Sequence, residues 1–199
     1  MSIFNLENQN KSIDSKIAAG LERLSQVFRI LLWEKAKEQS LSPIQIQLLI
    51  FIHNHSSEKT TISYMAQEFN LTKPTISDAV KVLEQKKLVK KNIDSNDTRS
   101  YTIQLTSNGK KAVSETENYV QPLTQLIEKA KKPDKKILWQ LLVDLITQLN
   151  KMEIISIQRT CFNCTHFSSN NNSGFCNLLN KKLDIQDIRI DCEDFITKN

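Results

Sequence analysis

Glycine and proline are scarce in this chain, with 3 and 4 residues among 199. Both residues interrupt helices, so their scarcity favours long helical segments. Apolar runs are also short, and none approaches the roughly 20 residues that a membrane-spanning helix requires. The N-terminal stretch MSIFNLENQNKS is polar and lacks the charged-then-apolar pattern of a secretory signal peptide. We therefore expect a cytoplasmic protein that does not span a membrane.

Residue types that carry catalysis do not form a recognisable pattern. No nucleophile–base constellation, phosphate-binding loop or paired acidic motif occurs in the sequence, so we do not expect an enzyme. His53 and His55 have no cysteine or acidic residue at metal-site spacing, which favours packing roles. Trp33 and Trp139 are interpreted as core residues.

Positive charge is the one feature of composition that points to a partner. The net charge is +5, and Lys and Arg exceed Asp and Glu by four within residues 41–112. A basic segment is typical of a surface that faces nucleic acid, but a solvated surface shows the same bias by accident. Charge alone leaves both interpretations open.

Apolar residues recur every three or four positions near both ends of the region before the first cysteine. One stripe runs through Ile13, Ile17, Leu21, Leu24, Phe28 and Leu31, and the other through Ile137, Leu141, Leu145, Leu149 and Met152. Each stripe predicts one long helix, and Pro122 predicts a kink or break in the helix before the second. The stripes exceed what a small domain can cover, which predicts pairing with a second copy of the chain.

The segment between these stripes predicts three short helices and a β-hairpin. LSPIQIQLLIFIHNH and ISYMAQEF form the first two helices, and a tight junction at Leu71 and Thr72 leads into KPTISDAVKVLEQKKLV. In that third helix Ile76, Val80 and Leu83 share one buried face. LVKKNI and SYTIQLT predict strands that flank the polar connection DSNDTR. This order of elements is typical of a winged helix-turn-helix.

Residues 62–109 resemble the MarR family of bacterial transcription regulators. The resemblance rests on ISYMAQEFNLTKPTISDAVKVLEQKKLV, on the wing DSNDTRS and on the following LTSNG. The spacing of Asp97 and Arg99 before an apolar strand that ends in Leu-Thr-x-x-Gly is fairly specific to that family. The long flanking helices occupy the family's dimerisation positions, which extends the resemblance to about residues 11–158. Lys87 departs from it, because the family often has a glycine there, but lysine reaches the left-handed conformation at modest cost.

The resemblance implies double-stranded DNA as the partner and KPTISDAVKVLEQKKLV as the recognition helix. Hydroxyl groups reach bases or phosphates and lysines neutralise phosphates, so the residues at its start suit that role. By resemblance, Arg99 would enter the minor groove and Asp97 would orient it through an ion pair. The expected DNA-binding residues are Thr72, Lys73, Thr75, Ser77, Asp78, Lys81, Asp97 and Arg99.

The cysteines are confined to the C-terminal segment, with the spacing Cys-x2-Cys-x11-Cys-x15-Cys at Cys161, Cys164, Cys176 and Cys192. A Cys-x-x-Cys pair supplies two thiolates from a single turn, and a segment with so few large apolar residues seldom folds on its own core. The pattern therefore predicts metal ligation by all four cysteines. A disulfide pair is the first alternative, disfavoured by a reducing cytoplasm, and four inert thiols are the second, disfavoured by their clustering.

The spacing of the cysteines leaves two metal centres to compare, a zinc ion and an iron–sulfur cluster. Zinc ribbons generally repeat Cys-x-x-Cys twice, whereas this chain has one such pair. The pattern CFNCTHF…GFC…DCEDF is similar to the small iron–sulfur subunits of certain glycyl-radical enzymes, and four thiolates are the standard ligands of an iron–sulfur cluster. We expect a 4Fe–4S cluster narrowly ahead of a zinc ion.

Together these patterns predict a mainly α fold with a small β-wing. The expected parts are an N-terminal dimerisation helix in residues 1–40, a winged helix-turn-helix in 41–112, C-terminal dimerisation helices in 113–158 and a metal-binding module in 159–199. The expected function is a MarR-type, homodimeric, DNA-binding transcription regulator that reads a pseudo-palindromic operator and senses redox or metal state through the four-cysteine centre. The alternative is an interaction or electron-carrying protein, whose winged helix binds a protein and whose cysteines hold a structural zinc or iron–sulfur site. No sequence feature indicates a small-molecule effector.

Overall fold

The computed structural model describes residues 2–94, 97–170 and 173–198, without the side chains of residues 94, 97–100, 170 and 173. The helices and strands in this part of the chain are α1 (Leu6–Lys11), α2 (Ile13–Glu38), α3 (Pro43–Asn54), α4 (Ile62–Glu68), α5 (Lys73–Gln85), β1 (Val89–Asp94), β2 (Asp97–Leu105), α6 (Ser107–Thr116), α7 (Gln121–Lys129), α8 (Lys132–Lys151), β3 (Phe167–Asn170), β4 (Ser173–Cys176) and β5 (Lys181–Leu183). Among these helices, none is long and apolar enough to cross a membrane.

Side-chain caps and prolines set several helix boundaries. The Thr61 hydroxyl accepts a hydrogen bond from the backbone N–H of Tyr64 at 3.2 Å and starts α4. Thr106 accepts from the N–H of Gly109 at 3.1 Å and starts α6. Pro122 lies in the first turn of α7, and residues 117–120 separate α7 from the end of α6 at Thr116, so the predicted interruption is a break between two helices.

The core of the winged helix-turn-helix lies between α3, α4, α5, α6 and the hairpin of β1 and β2. From α5, Ile76, Val80 and Leu83 are at most 2% exposed, as their spacing predicted. Met65 and Ala66 of α4 pack into the same cluster. This burial fixes α4 and α5 against each other and leaves the opposite side of α5 towards solvent.

The hairpin is longer than the sequence predicted. β1 and β2 pair antiparallel from Val89 with Leu105 to Asp94 with Asp97, with an irregular register between Ile93 and Asp94. Asp97 and Arg99 therefore lie in β2, not in the connection between the strands. Backbone hydrogen bonds extend a ladder beyond the apolar alternation from which strand ends are predicted, because they do not depend on apolar side chains.

A left-handed residue closes α5, as the sequence predicted. Lys87 has φ 56°, its N–H donates to the carbonyl of Glu84 at 2.9 Å, and the N–H of Leu88 donates to that of Leu83 at 2.9 Å. A Cβ atom on Gly109 would lie 2.0 Å from the carbonyl oxygen of Leu88. Only glycine lets α6 approach this turn, which gives a physical reason for the glycine of LTSNG.

The long helices carry exposed apolar stripes. The stripe of α2 from Ile13 to Phe28 is 40–68% exposed, and that of α8 from Ile137 to Leu149 is 36–69% exposed. Trp33 is 54% exposed, so its interpretation as a core residue is wrong for the single chain. These faces have no counterpart within the described part of one chain that would cover them.

Residues 159–198, called the cysteine module below, pack against α8. β3, β4 and β5 form an antiparallel three-stranded sheet in that order. Leu183 and Ile188 of the module are buried together with Val143 of α8. The indole N–H of Trp139 donates to the carbonyl of Ile185 at 2.9 Å. The module thus shares its core with a helix that precedes it.

Candidate functional site

The structure brings six of the eight predicted DNA-binding residues to α5 and its N-cap, away from the buried face of that helix. Five of them are exposed and Ser77 is half-buried. The six are Thr72, Lys73, Thr75, Ser77, Asp78 and Lys81. They offer hydroxyl, amine and carboxylate groups on the outer side of one helix, which suits contacts with base edges and phosphates.

Local hydrogen bonds orient four of these side chains. The Thr72 hydroxyl accepts from the N–H of Thr75 at 3.3 Å and lies 2.8 Å from the Thr75 hydroxyl. The ammonium group of Lys81 donates to Asp78 at 2.9 Å, and this hydrogen bond raises the pKa of Lys81. The pair is exposed, so Lys81 exchanges Asp78 for another anion at little cost.

The remaining two predicted residues, Asp97 and Arg99, lie in β2. Their side chains are outside the described part of the chain, so their ion pair stays a prediction. Sequence reasoning did not single out Lys90 and Lys91, although both lie in β1 of the same hairpin. Lys91 pairs with Glu84 at 3.2 Å and lies 5.4 Å from the ring centroid of Tyr101.

A buried arginine between the winged helix and the cysteine module was also missed. Arg159 donates from Nε to Asp191 Oδ1 at 2.5 Å and from Nη2 to Asp191 Oδ2 at 3.1 Å. Nη1 and Nη2 donate to Glu68 at 2.7 and 3.1 Å, and Nη1 donates to the Tyr64 hydroxyl at 3.0 Å. His55 Nε2 lies 3.2 Å from Asp191 Oδ2. We call these five residues the Arg159 cluster.

The ionised forms of Arg159 and Asp191 are strongly stabilised within the Arg159 cluster. The hydrogen bond from His55, together with that from Arg159, holds the pKa of Asp191 well below its usual range. Burial alone would lower the pKa of Arg159, but its hydrogen bonds with Asp191 and Glu68 outweigh burial and raise it. Arg159 and Asp191 are therefore both ionised.

The four cysteines line one cavity of about 30 Å³ in the cysteine module. All four thiols are free, and Cys164 is 6% exposed. The backbone N–H of Arg189 points to Cys161 Sγ at 3.3 Å, and its Nη1 lies 3.7 Å from Cys192 Sγ. Burial raises the pKa of the Cys161 thiol, and the N–H of Arg189 acts in the opposite direction.

The described side chains around this cavity are not arranged as a set of metal ligands. Within the described residues, no group of three or more His, Cys, Asp or Glu side chains is arranged so that it could hold a metal ion. The four cysteines line a common cavity, but metal ligation and the choice between a cluster and zinc stay predictions.

The arrangement of α3 to α6 with the hairpin of β1 and β2 defines a winged helix-turn-helix between two long helices. A model of the MarR family matches residues 39–100. The solved complex of S. aureus MepR with DNA is 22% identical to this chain, with a TM-score of 0.58 over 66% of this chain and 97% of MepR. MepR in its DNA-binding conformation has the same identity and TM-score over 67% of this chain and 98% of MepR. No curated protein matches the sequence. The chain therefore has the MarR winged-helix fold.

Proposed function

We propose that the chain is a homodimeric transcription regulator that binds double-stranded DNA with α5 in the major groove. The observation that carries the proposal is the division of α5 into a buried apolar face and an outer side with Lys73, Thr75 and Lys81. Hydroxyls at the start of the helix meet base edges or phosphates, and the lysines neutralise phosphates. The MarR match over residues 39–100 and the likeness to DNA-bound MepR support this role.

Dimerisation through the long helices completes this proposal. The exposed stripes of α2 and α8 give each copy two apolar faces that a second copy can bury. A two-fold axis between two recognition helices places them in successive major grooves, about 34 Å apart. The operator is then a pseudo-palindrome with half-sites about one helical turn apart.

Selection from a random duplex library with the full-length protein tests DNA binding. The selected sequence should be two-fold symmetric, and its affinity should fall steeply as salt rises. Lys73→Ala should weaken binding and reduce the log–log salt slope by about one, whereas Lys182→Ala in the cysteine module should not. If the protein selects no sequence and binds duplex DNA without salt dependence, the proposal is wrong and a protein-binding winged helix is favoured.

A paired substitution tests the dimer. Leu21→Asp combined with Leu145→Asp puts charge into both exposed stripes and should yield folded monomers with little specific DNA binding. Ile196→Asp is the matched control, because Ile196 is 56% exposed and lies in the cysteine module. Sedimentation velocity measures the mass of each variant, and a double variant that stays dimeric contradicts the assignment of the interface.

We also propose that the four cysteines bind a metal centre, a 4Fe–4S cluster ahead of a zinc ion, through which the regulator senses redox or metal state. Their common cavity and the two N–H donors of Arg189 near Cys161 and Cys192 support this proposal. Four thiolates are the ligand set of both centres. Because no ligand sphere is formed among the described side chains, metal binding would draw the cysteines together and stabilise the module.

Anaerobic purification followed by an absorption spectrum and by iron, sulfide and zinc analysis tests the metal centre. About four irons and four sulfides in each chain indicate the cluster, and one zinc indicates the ion. Cys164→Ser should lower the content of either centre, whereas Ser168→Ala in the same module should keep it. A wild-type protein without stoichiometric metal after anaerobic purification contradicts the proposal.

A further inference from the structure

Arg159 joins two parts of the chain that are remote in sequence. Its side chain is 5% exposed, and all five of its N–H groups donate hydrogen bonds. Glu68 and Tyr64, which accept three of these bonds, belong to α4 of the winged helix. Asp191, which accepts the other two, belongs to the cysteine module. A single guanidinium group thus binds a carboxylate from each part in bidentate geometry.

The charge of Arg159 makes this contact all-or-none. A guanidinium group does not lose its proton in a protein, so it cannot be buried neutral. If the cysteine module moves away from α4, Arg159 keeps Asp191 but loses Glu68 and Tyr64. A charge of the Arg159–Glu68 pair that stays buried is then left without its counter-charge, which is strongly unfavourable. The contact between the module and α4 is therefore either kept whole or lost whole.

The cluster is attached directly to two of the four cysteines. The backbones of Arg159 and Asp191 form an isolated parallel β-bridge. The N–H of Cys192 donates to the carbonyl of Arg159 at 3.2 Å, and the N–H of Cys161 donates to the carbonyl of Arg189 at 3.1 Å. Any displacement of Cys161 or Cys192 is transmitted through this pairing to the backbone that carries Arg159 and Asp191.

On the other side, the cluster lies next to the start of α5. Glu68 is the last residue of α4, and Thr72 caps α5. The turn between them is tight, with Asn70 at φ 50° and the N–H of Leu71 donating to the carbonyl of Ala66 at 2.9 Å. A shift of Glu68 therefore moves the N-terminus of α5.

We propose that Arg159 is a positioning residue that couples the order of the cysteine module to α4, and through α4 to the placement of α5. The consequence for DNA rests on the function proposed above, but the coupling itself requires neither DNA nor metal. It acts through the contact of the module with α4, in addition to the covalent connection through α8.

Amide hydrogen exchange in the full-length protein tests the coupling. Phe167→Ala removes the edge-to-face contact with Phe162, whose ring centroid lies 5.3 Å away, and loosens the module. In the wild-type background, α4 should then exchange about fivefold faster or more. In an Arg159→Met background, Phe167→Ala should speed exchange in the module but add nothing in α4. That non-additivity would not arise if Arg159 only filled space.

Matched aspartates provide the control. Asp191→Asn should speed exchange in α4, whereas Asp187→Asn should not, because Asp187 pairs with Lys181 inside the module at 2.7 Å. Gly174→Val is a second way to loosen the module, since a Cβ atom there would lie 2.7 Å from the Phe167 ring. The coupling is refuted if a loosened module leaves α4 unchanged, or if α4 responds equally in the Arg159→Met background. Failure of DNA binding would instead be seen in the library selection.

Discussion

The winged helix and the cysteine module differ in where their cores come from. Among the described side chains, the winged helix packs fourteen buried residues into one cluster, all of them from α3 to α6 and the hairpin. The cluster under the module has three, and Val143, one of the three, belongs to α8. Hydrophobic burial is roughly proportional to the apolar area removed from water, so the module gains far less from its own residues.

The winged helix and the cysteine module are therefore stabilised in different ways. The winged helix forms a conventional apolar core, whereas the module depends on α8, on the Arg159 cluster and, in our proposal, on a metal centre. Small modules commonly need such additional links. The region with the larger core carries the proposed DNA surface, and the region with the smaller core carries the proposed metal centre.

Matched leucines in the two cores test this difference with the largest expected effect. Leu83→Ala in the winged helix should lower the free energy of unfolding of the whole chain by about 2–5 kcal/mol, because Leu83 is fully buried. Leu183→Ala in the module should shift global unfolding by about 1 kcal/mol or less and act mainly on hydrogen exchange in residues 161–198. Denaturant titration of both variants measures the two effects, and equal global losses would contradict the comparison.

Metal removal should act on the module first. In the wild type, stripping the metal should change operator affinity several-fold, equivalent to about 1–3 kcal/mol of coupling, while the dimer remains folded. Cys164→Ser should reproduce this change without a chelator. Binding isotherms and melting curves of the three preparations are the measurements. Identical DNA binding in all three would leave the module as a structural staple and refute sensing.

Arginines in the two regions should differ in their effect on salt dependence. Arg99→Ala should weaken operator binding by about 1 kcal/mol and reduce the salt slope by about one unit if Arg99 contacts a phosphate. Arg189→Ala, next to Cys161 and Cys192, should leave the slope unchanged. Titrations at several salt concentrations measure both quantities. An unchanged salt slope and an unchanged operator affinity for Arg99→Ala would show that Arg99 of the wing is not part of the DNA-binding surface.

The smallest expected effect on stability concerns two residues in the left-handed backbone conformation. Lys87 at the end of α5 has φ 56°, and Asn180 in the module has φ 48°. Lys87→Gly should stabilise the winged helix by about 0.5–1 kcal/mol, because lysine is strained there and glycine is not. Asn180→Gly should change stability less, since asparagine tolerates this conformation. Thermal unfolding of both variants tests the sign, and destabilisation by Lys87→Gly would contradict it.

Local signals in the sequence predicted most of the winged helix. The spacing of Ile76, Val80 and Leu83 identified the buried face of α5, and Pro122 marked the break before α7. Lys87 adopts the expected conformation. Each of these features depends on residues within a few positions of one another, and such features are the ones that periodicity and turn chemistry report.

Features that depend on distant residues were not predicted. Glu68 and Arg159 are 91 positions apart, and neither carries a local pattern that identifies the other. The strands of the module have only three or four residues each, which is too short for a period-2 signal. Trp33 was assigned to a core because it lies in a predicted dimerisation helix, but it is 54% exposed in the single chain.

The long separation between Glu68 and Arg159 also sets an order of events during synthesis. Chains emerge from the ribosome N-terminus first, at about 5–20 residues per second, so roughly 5–18 s elapse between the two residues, 91 positions apart. The apolar cluster of the winged helix ends at Val113 and is complete before Arg159 is made. The nascent winged helix therefore presents Glu68 and Tyr64 as a finished docking surface. The C-terminal segment arrives last and binds to a partner that is already folded, as a ligand binds to a receptor.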